Sequence, residues 1–200
     1  MTKSEFGARL QHACAAVIAA EPELTEIDSK FGDADHGLTM TKIAGAISAA
    51  VEEAEGGIQS MLDDAAMAVM SLNGGSAVPL WNTWLDGMQE EAPEGDEIDV
   101  AGIQAIFAKA FEEIDDMSGA KVGDKTMMDA LIPASEAIAS YEGGSEDALF
   151  AAATAAQGAE NSKNYVSKFG RAKSYGTKTI GTPDAGATSM ACFFRGLAQA

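Results

Sequence analysis

The sequence predicts an all-α fold, an eight-helix up-and-down antiparallel barrel or bundle. Apolar residues make up 46% of the 200-residue chain and aromatics only 6%. That apolar set is mostly Ala with Ile, Leu and Met, which favours helix over strand. Apolar side chains recur at spacings of three and four through eight stretches, and none alternates as a strand would. The links at 56–57, 74–75 and 143–144 are Gly-Gly, and short connections make consecutive helices antiparallel neighbours. A chain of this length fits one domain, residues 1–200, better than two.

The first helix spans about Lys3 to Ala20, with Phe6, Leu10, Cys14 and Val17 as its buried stripe and Ser4 or Thr2 as candidate cap. His12 lies beside that stripe without a partner near in sequence and reads as structural. Pro22 ends the helix, and an acidic loop follows. A second helix, Gly37 to about Ala54, carries Leu38, Ile43, Ile47 and Val51. The third runs from Ile58 to Leu72 and stops at Asn73-Gly74-Gly75. The fourth starts near Ser76 to Pro79, where a first-turn proline is tolerated, and continues through Trp81, Trp84 and Met88. Asp99 caps the fifth, whose stripe is Val100, Ile103, Ile106 or Phe107, Phe111 and Ile114. The sixth covers Thr126 to Ser140 with Pro133 as a kink. Ser145 caps the seventh, Glu146 to Ser162. Residues 164–183 carry no regular pattern, and a loop of that length in a compact fold points to function or disorder. Asp184 caps the last helix, Ala185 to Gln199.

The net charge of −18 argues against a nucleic-acid partner, which needs a basic face. Cys14 and Cys192 stand far apart without a Cys-x-x-Cys, so neither a zinc site nor a disulfide framework is expected. No export segment opens the chain and no apolar run reaches membrane-spanning length, so the expectation is a soluble, cytoplasmic protein with no membrane partner.

Four stretches carry chemistry. Asp28-Ser29-Lys30-Phe31-Gly32-Asp33-Ala34-Asp35-His36-Gly37 gathers three carboxylates within eight residues. Two unpaired charges 4 Å apart at an effective dielectric of about 20 repel by roughly 4 kcal/mol. Such a loop is either splayed into water, with Asp35 or His36 capping the next helix, or it collects a hard cation such as Mg²⁺. A calcium EF-hand is excluded: its fifth, sixth and twelfth places would hold Gly37, Leu38 and Ala44. Asn73-Gly74-Gly75-Ser76 precedes a helix and could curl its N–H groups around an anion, or be a plain turn. A Walker A pattern is absent. The 163–178 segment holds five of the thirteen basic residues (Lys163, Lys168, Arg171, Lys173, Lys178) and no acid. It could close over phosphates, or be a solvated loop or docking surface. In Gly181-Thr182-Pro183-Asp184-Ala185-Gly186-Ala187-Thr188, the Asp reads as a cap, while the small residues would let a base or ribose approach.

Together these motifs resemble the nucleotide-binding L subunit of dihydroxyacetone kinases, over nearly the whole chain. The resemblance implies an eight-helix antiparallel barrel that binds ADP or ATP with two Mg²⁺. It puts the metal on Asp28, Asp33 and Asp35, and nucleotide contacts on His36 and Thr39. It puts phosphate contacts on the loop Gly74, Gly75, Ser76 and Ala77, and the adenine pocket at Met127. Arg171, Asp184 and Gly186 complete the site, with Arg171 in the catalytic role. It also implies a separate K subunit that holds the ketose covalently on its own histidine. The phosphoryl donor is either exchanging ATP or a resident ADP recharged by a phosphotransferase-system protein. Three departures stand out. Gly74-Gly75-Ser76-Ala77-Val78-Pro79-Leu80 replaces the family's Gly-Gly-Ala-Ser-Gly-Pro-Leu, Lys173-Ser174-Tyr175-Gly176 replaces Ser-Tyr-Leu-Gly, and Ala185 replaces a proline. A valine in place of the loop glycine suggests an altered path, because Val78 would resist positive φ. The leading expectation is therefore the nucleotide- and Mg-binding subunit of a short-ketose kinase, active with its partner. Alternatives are a catalytically silent nucleotide-binding regulatory module of the same family and a purely structural helical adaptor.

Overall fold

The computed structural model describes residues 1–155 and 158–199. Among these it shows ten α-helices: α1 Lys3–Ala19, α2 Glu21–Ser29, α3 His36–Glu53, α4 Ile58–Met70, α5 Ala77–Glu90, α6 Val100–Ser118, α7 Met128–Ala139, α8 Glu146–Ala155, α9 Gly158–Asn161 and α10 Ala185–Leu197. The only extended pairing described is an isolated bridge between Thr2 and Glu97. Eight of the helices, all but α2 and α9, form the expected antiparallel ring. Each packs on the next, and α10 returns to α1 to close it. α1, α4, α6 and α8 run toward one end, while α3, α5, α7 and α10 run back.

The sequence stripes fill the interior. Phe6, Leu10, Cys14 and Val17 are buried, as are Trp81, Trp84, Ile106 and Phe107. Trp84 packs edge-on against Trp81, Phe107, Phe193 and Phe194, with ring centroids 5.5–6.1 Å apart, so rings from three helices occupy the centre. Gly196 lies against Ala13, where a Cβ would come within 2.3 Å of the Ala13 Cα, and that close approach lets α10 seal onto α1. Both cysteines are free and buried.

The structure corrects several expectations. Pro22 opens α2 instead of ending the chain's helical course, because a proline in a first turn lacks only an N–H that would have had no partner. Leu38, expected in a buried stripe, is 56% exposed. The seventh helix was expected to reach Ser162; α8 ends at Ala155, α9 follows, and residues 156–157 of that expectation lie outside the described ones. Residues 171–179 form a 3₁₀ turn broken at Gly176 (φ 55°), so the long loop is partly regular. Pro133 sits inside α7, leaving the Asp129 carbonyl without its N–H partner four residues on, and Gly158 packs onto that carbonyl with no room for a Cβ.

The two ends of the ring are built differently. At one end Met1–Lys3, Ala54–Ile58 and Pro93–Ile98 interlock: Lys3 Nζ donates to the Ala54 and Gly56 carbonyls at 2.9 and 2.6 Å, and Ile58 N–H to Gly95. The acidic loop, the glycine-rich link and the 163–181 strap meet at the other.

Candidate functional site

The acidic loop is held by its own backbone. Asp28 lies in the last turn of α2 and its Oδ2 accepts from the Asp35 and His36 N–H groups at 3.1 and 3.4 Å. Gly32 and Gly37 are required by closeness: a Cβ on Gly32 would fall 2.0 Å from Asp28 Oδ1, and one on Gly37 2.4 Å from the Glu21 carbonyl. Ala34 turns the chain with φ 59°. Asp28, Asp33 and Asp35 thereby each bring one carboxylate oxygen within 4.8 Å of the others. Asp35 precedes α3 but its side chain makes no cap, so the capping alternative fails. Its carboxyl is pushed up from the ordinary value, first by burial and then by the Asp33 and Asp28 charges, with Arg171 opposing. Hard oxygen donors crowded in this way suit a divalent cation that takes carboxylate ligands.

From the triad the site continues along α3. His36 Nε2 lies 3.1 Å from Ser189 Oγ on α10, and that hydroxyl in turn donates to the Gly186 carbonyl at 2.9 Å. Ser189 Oγ therefore accepts from the ring. Burial lowers the His36 pKa, with the Asp28 charge partly opposing, so the imidazole is neutral at pH 7. Thr39, one turn on, touches the glycine-rich link: a Cβ on Gly74 would meet Thr39 Cγ2 at 3.3 Å and Val78 Cγ2 at 2.6 Å. Val78 is a buried residue of α5 with helical backbone, so it needs no positive φ and the feared obstruction at that position does not arise. Gly74, Gly75 and Ser76 are exposed ahead of α5, and Ala77 is its first residue.

The remaining wall comes from α7 and α10. Met127 precedes α7 and is nearly buried. A Cβ on Gly186 would sit 3.2 Å from Met127 Cβ and 3.1 Å from Asp184 Oδ2, so these three expected residues are neighbours. Asp184 does cap α10, accepting from the Ala187 N–H at 2.8 Å. Its carboxyl is pushed up to about 7, chiefly by burial and further by Asp129, with the Ala187 N–H hydrogen bond and then Lys125 opposing. The strap crosses to the acidic loop, where Arg171 Nη2 stands 2.7 Å from Asp33 Oδ2 and Tyr175 packs on Phe31 at 5.2 Å. Its other charges are partly matched: Lys163 pairs with Glu160 and Lys168 with Asp124, whereas Lys173 and Lys178 have no ion pair among the described residues.

All thirteen expected site residues thus fall at one end of the ring. Ser189, Lys125 and helix α2 were missed. Ser189 lies one helical turn beyond Gly186 on α10, and that spacing was the available signal. Lys125 stands in Gly123-Asp124-Lys125-Thr126-Met127, a stretch that drew notice for Met127 and not for its lysine.

An all-α ring with a carboxylate triad facing a basic strap defines the class, and comparison with known proteins defines the family. The DAK2 domain matches residues 30–199, so the chain belongs to the DAK2 family. It is 31% identical over 199 residues to the "PEP-dependent dihydroxyacetone kinase, ADP-binding subunit DhaL" of Escherichia coli, covering 94% of this chain and 92% of that one. It is 35% identical to a D-erythrulose kinase of Mycolicibacterium smegmatis, over 96% of this chain but 34% of the relative. The chain thus spans about a third of the length of the first curated relatives it matches. The fold resembles that of the dihydroxyacetone kinase from C. freundii in complex with AMP-PNP and Mg²⁺, with TM-score 0.70 at 24% identity, over 97% of this chain and 33% of that one.

Proposed function

We propose that this chain is the nucleotide- and Mg²⁺-binding subunit of a short-ketose kinase, presenting the phosphoryl donor to a ketose on a separate K subunit. The observation that carries this reading is the convergence of Asp28, Asp33 and Asp35 within 4.8 Å, with Arg171 against them. The full-length likeness to a subunit named ADP-binding supports it.

In this reading Asp28, Asp33 and Asp35 hold two Mg²⁺, which when bound neutralise and orient the phosphate oxygens. The N–H groups of Gly74, Gly75, Ser76 and Ala77, at the positive end of α5, receive the phosphates. Neutral His36 and Thr39 line the nucleotide's path, and Met127, Asp184 and Gly186 border its base and ribose. Arg171 stabilises the equatorial oxygens of the phosphoryl group in transit and is the catalytic residue. Transfer needs positioning and charge neutralisation, so no side chain here acts as nucleophile. Leu38 in the first turn of α3, with Val122, Phe169, Tyr175 and Ile180 on the neighbouring loops, are exposed apolar residues at this end, a rim suited to docking the K subunit. The donor is ATP from solution, or ADP recharged by a phosphotransferase-system protein. The silent-module alternative was motivated by the altered 74–80 loop; the helical backbone at Val78 answers the part that rests on positive φ, and the displaced Ser76 leaves the rest to the activity test below.

Asp33→Asn in the reconstituted complex is expected to cut phosphoryl transfer at least about 100-fold while the circular dichroism of the chain is unchanged. Full turnover by that variant would overturn the metal assignment.

A further inference from the structure

Lys125 is the only lysine buried among the described residues, 4% exposed, and its backbone is left-handed at φ 62°. A residue with a β-carbon is held there only when its surroundings demand it. The demand is visible at the Nζ, which donates to the Ser162 carbonyl at 2.6 Å and the Thr182 carbonyl at 2.5 Å. Those carbonyls flank the 163–181 strap. The same neck is closed by the Gly181 N–H on the Lys163 carbonyl at 2.8 Å and by the Asp184 N–H on Ser162 Oγ at 2.8 Å. At its tip the strap carries Arg171 and Tyr175 onto Asp33 and Phe31.

We propose that Lys125 is a positioning residue: its ammonium clasps both ends of the strap and so fixes where Arg171 stands over the acidic loop. Two carbonyls brought together point their negative ends at one place, and a buried ammonium with three donors answers both. Without it the neck holds two unpaired acceptors in a nearly dry site, and the strap opens. Arg171, 72% exposed and tied at the tip by one screened ion pair, cannot hold the strap by itself. What Arg171 does there rests on the kinase reading above; the clasp does not.

The test compares Lys125→Met, Lys125→Gln, Lys125→Arg, Arg171→Ala and the Lys125→Met/Arg171→Ala double variant, each with the K subunit. Hydrogen exchange of residues 163–182 should speed up at least about tenfold in Lys125→Met while α5 and α6 stay protected. kcat should fall at least about tenfold, with the nucleotide KM moving less than about threefold. The double variant should turn over no more slowly than Arg171→Ala, because Lys125 acts through Arg171. Lys125→Arg should restore most of the rate. If Lys125→Met does not fold, Lys125→Gln, which keeps a donor, carries the same expectations. Unchanged strap exchange, or losses that multiply in the double variant, would overturn the proposal. A wild-type complex without turnover would instead sink the kinase reading, and strap exchange alone would then decide the clasp.

Discussion

The two ends of the helical ring face the same task, joining antiparallel helices, and meet it with different residues. At the Lys3 end short-range caps are combined with ties across the ring: Thr2 and Glu5 form a capping box, Asp99 caps α6 through the Gly102 N–H at 2.8 Å, and Lys3 Nζ reaches the distant Ala54 and Gly56 carbonyls. The cleft there, about 650 Å³, is lined by Glu5, Glu91, Glu97 and Asp99, a wall that repels phosphate. At the acidic-loop end local bonds, such as Asp28 on the Asp35 and His36 N–H groups, are likewise joined by contacts distant in sequence, but around carboxylates and a basic strap. His36 meets Ser189, Gly74 meets Thr39, and Lys125 meets Ser162 and Thr182. Of the described left-handed residues only Gly56 lies at the Lys3 end; Ala34, Lys125 and five glycines lie at the other. Among the described residues every large apolar side chain standing well exposed, from Ile18 to Ile180, is in that same half. Strain, exposed apolar surface and crowded carboxylates cost stability, and a ring that concentrates them at one end has the opposite end to hold it together.

The comparison breaks most sharply at Arg171. Arg171→Ala should lower phosphoryl transfer by about 10²–10³-fold, while its exposed pair with Asp33 contributes less than about 1 kcal/mol to stability. Turnover and urea unfolding on the same preparation separate the two effects.

A matched pair of glycines sharpens it. Gly37→Ala would set a Cβ 2.4 Å from the Glu21 carbonyl, and Gly57→Ala one 1.9 Å from the Glu94 carbonyl. Each should cost about 1–3 kcal/mol in denaturant unfolding. Only Gly37→Ala should also weaken Mg²⁺-dependent nucleotide binding, as read by calorimetry.

Asp184 gives the acidic-loop end a pH signature. Its folded pKa of about 7 lies above the ordinary 3.8, through burial and Asp129 against the opposing Ala187 N–H and Lys125. The folded state then binds the proton more tightly than the unfolded one. This group's contribution is therefore most favourable below about pH 4 and is lost as pH rises toward 7. Asp184→Asn should flatten stability against pH over that window, measured by urea unfolding at several pH values.

The smallest effect belongs to the Lys3 end. Asp99→Ala removes the α6 cap and should cost about 1 kcal/mol, with phosphoryl transfer unaltered. A loss of transfer there would mean that the two ends are coupled.

Separation along the chain governs what could be read in advance. The helical stripes apart from Leu38, the Asp99 and Asp184 caps and the first-turn Pro79 follow rules confined to four or five adjacent residues, and these were legible. Pro22 was misjudged because proline is equally at home after one helix and at the start of another, and only packing against α3 and α10 selects the second. Leu38 was misassigned because periodicity fixes a face but not where that face leaves the core.

The amino-acid order alone determined eight amphipathic helices joined as antiparallel neighbours and a three-aspartate loop, because helical period, short links and charge crowding are properties of short stretches. Tertiary structure decided that Arg171 reaches Asp33, that Ser189 holds His36, and that Lys125 closes the strap. Those contacts join residues from 37 to 153 positions apart, and only ring closure brings them within hydrogen-bonding distance.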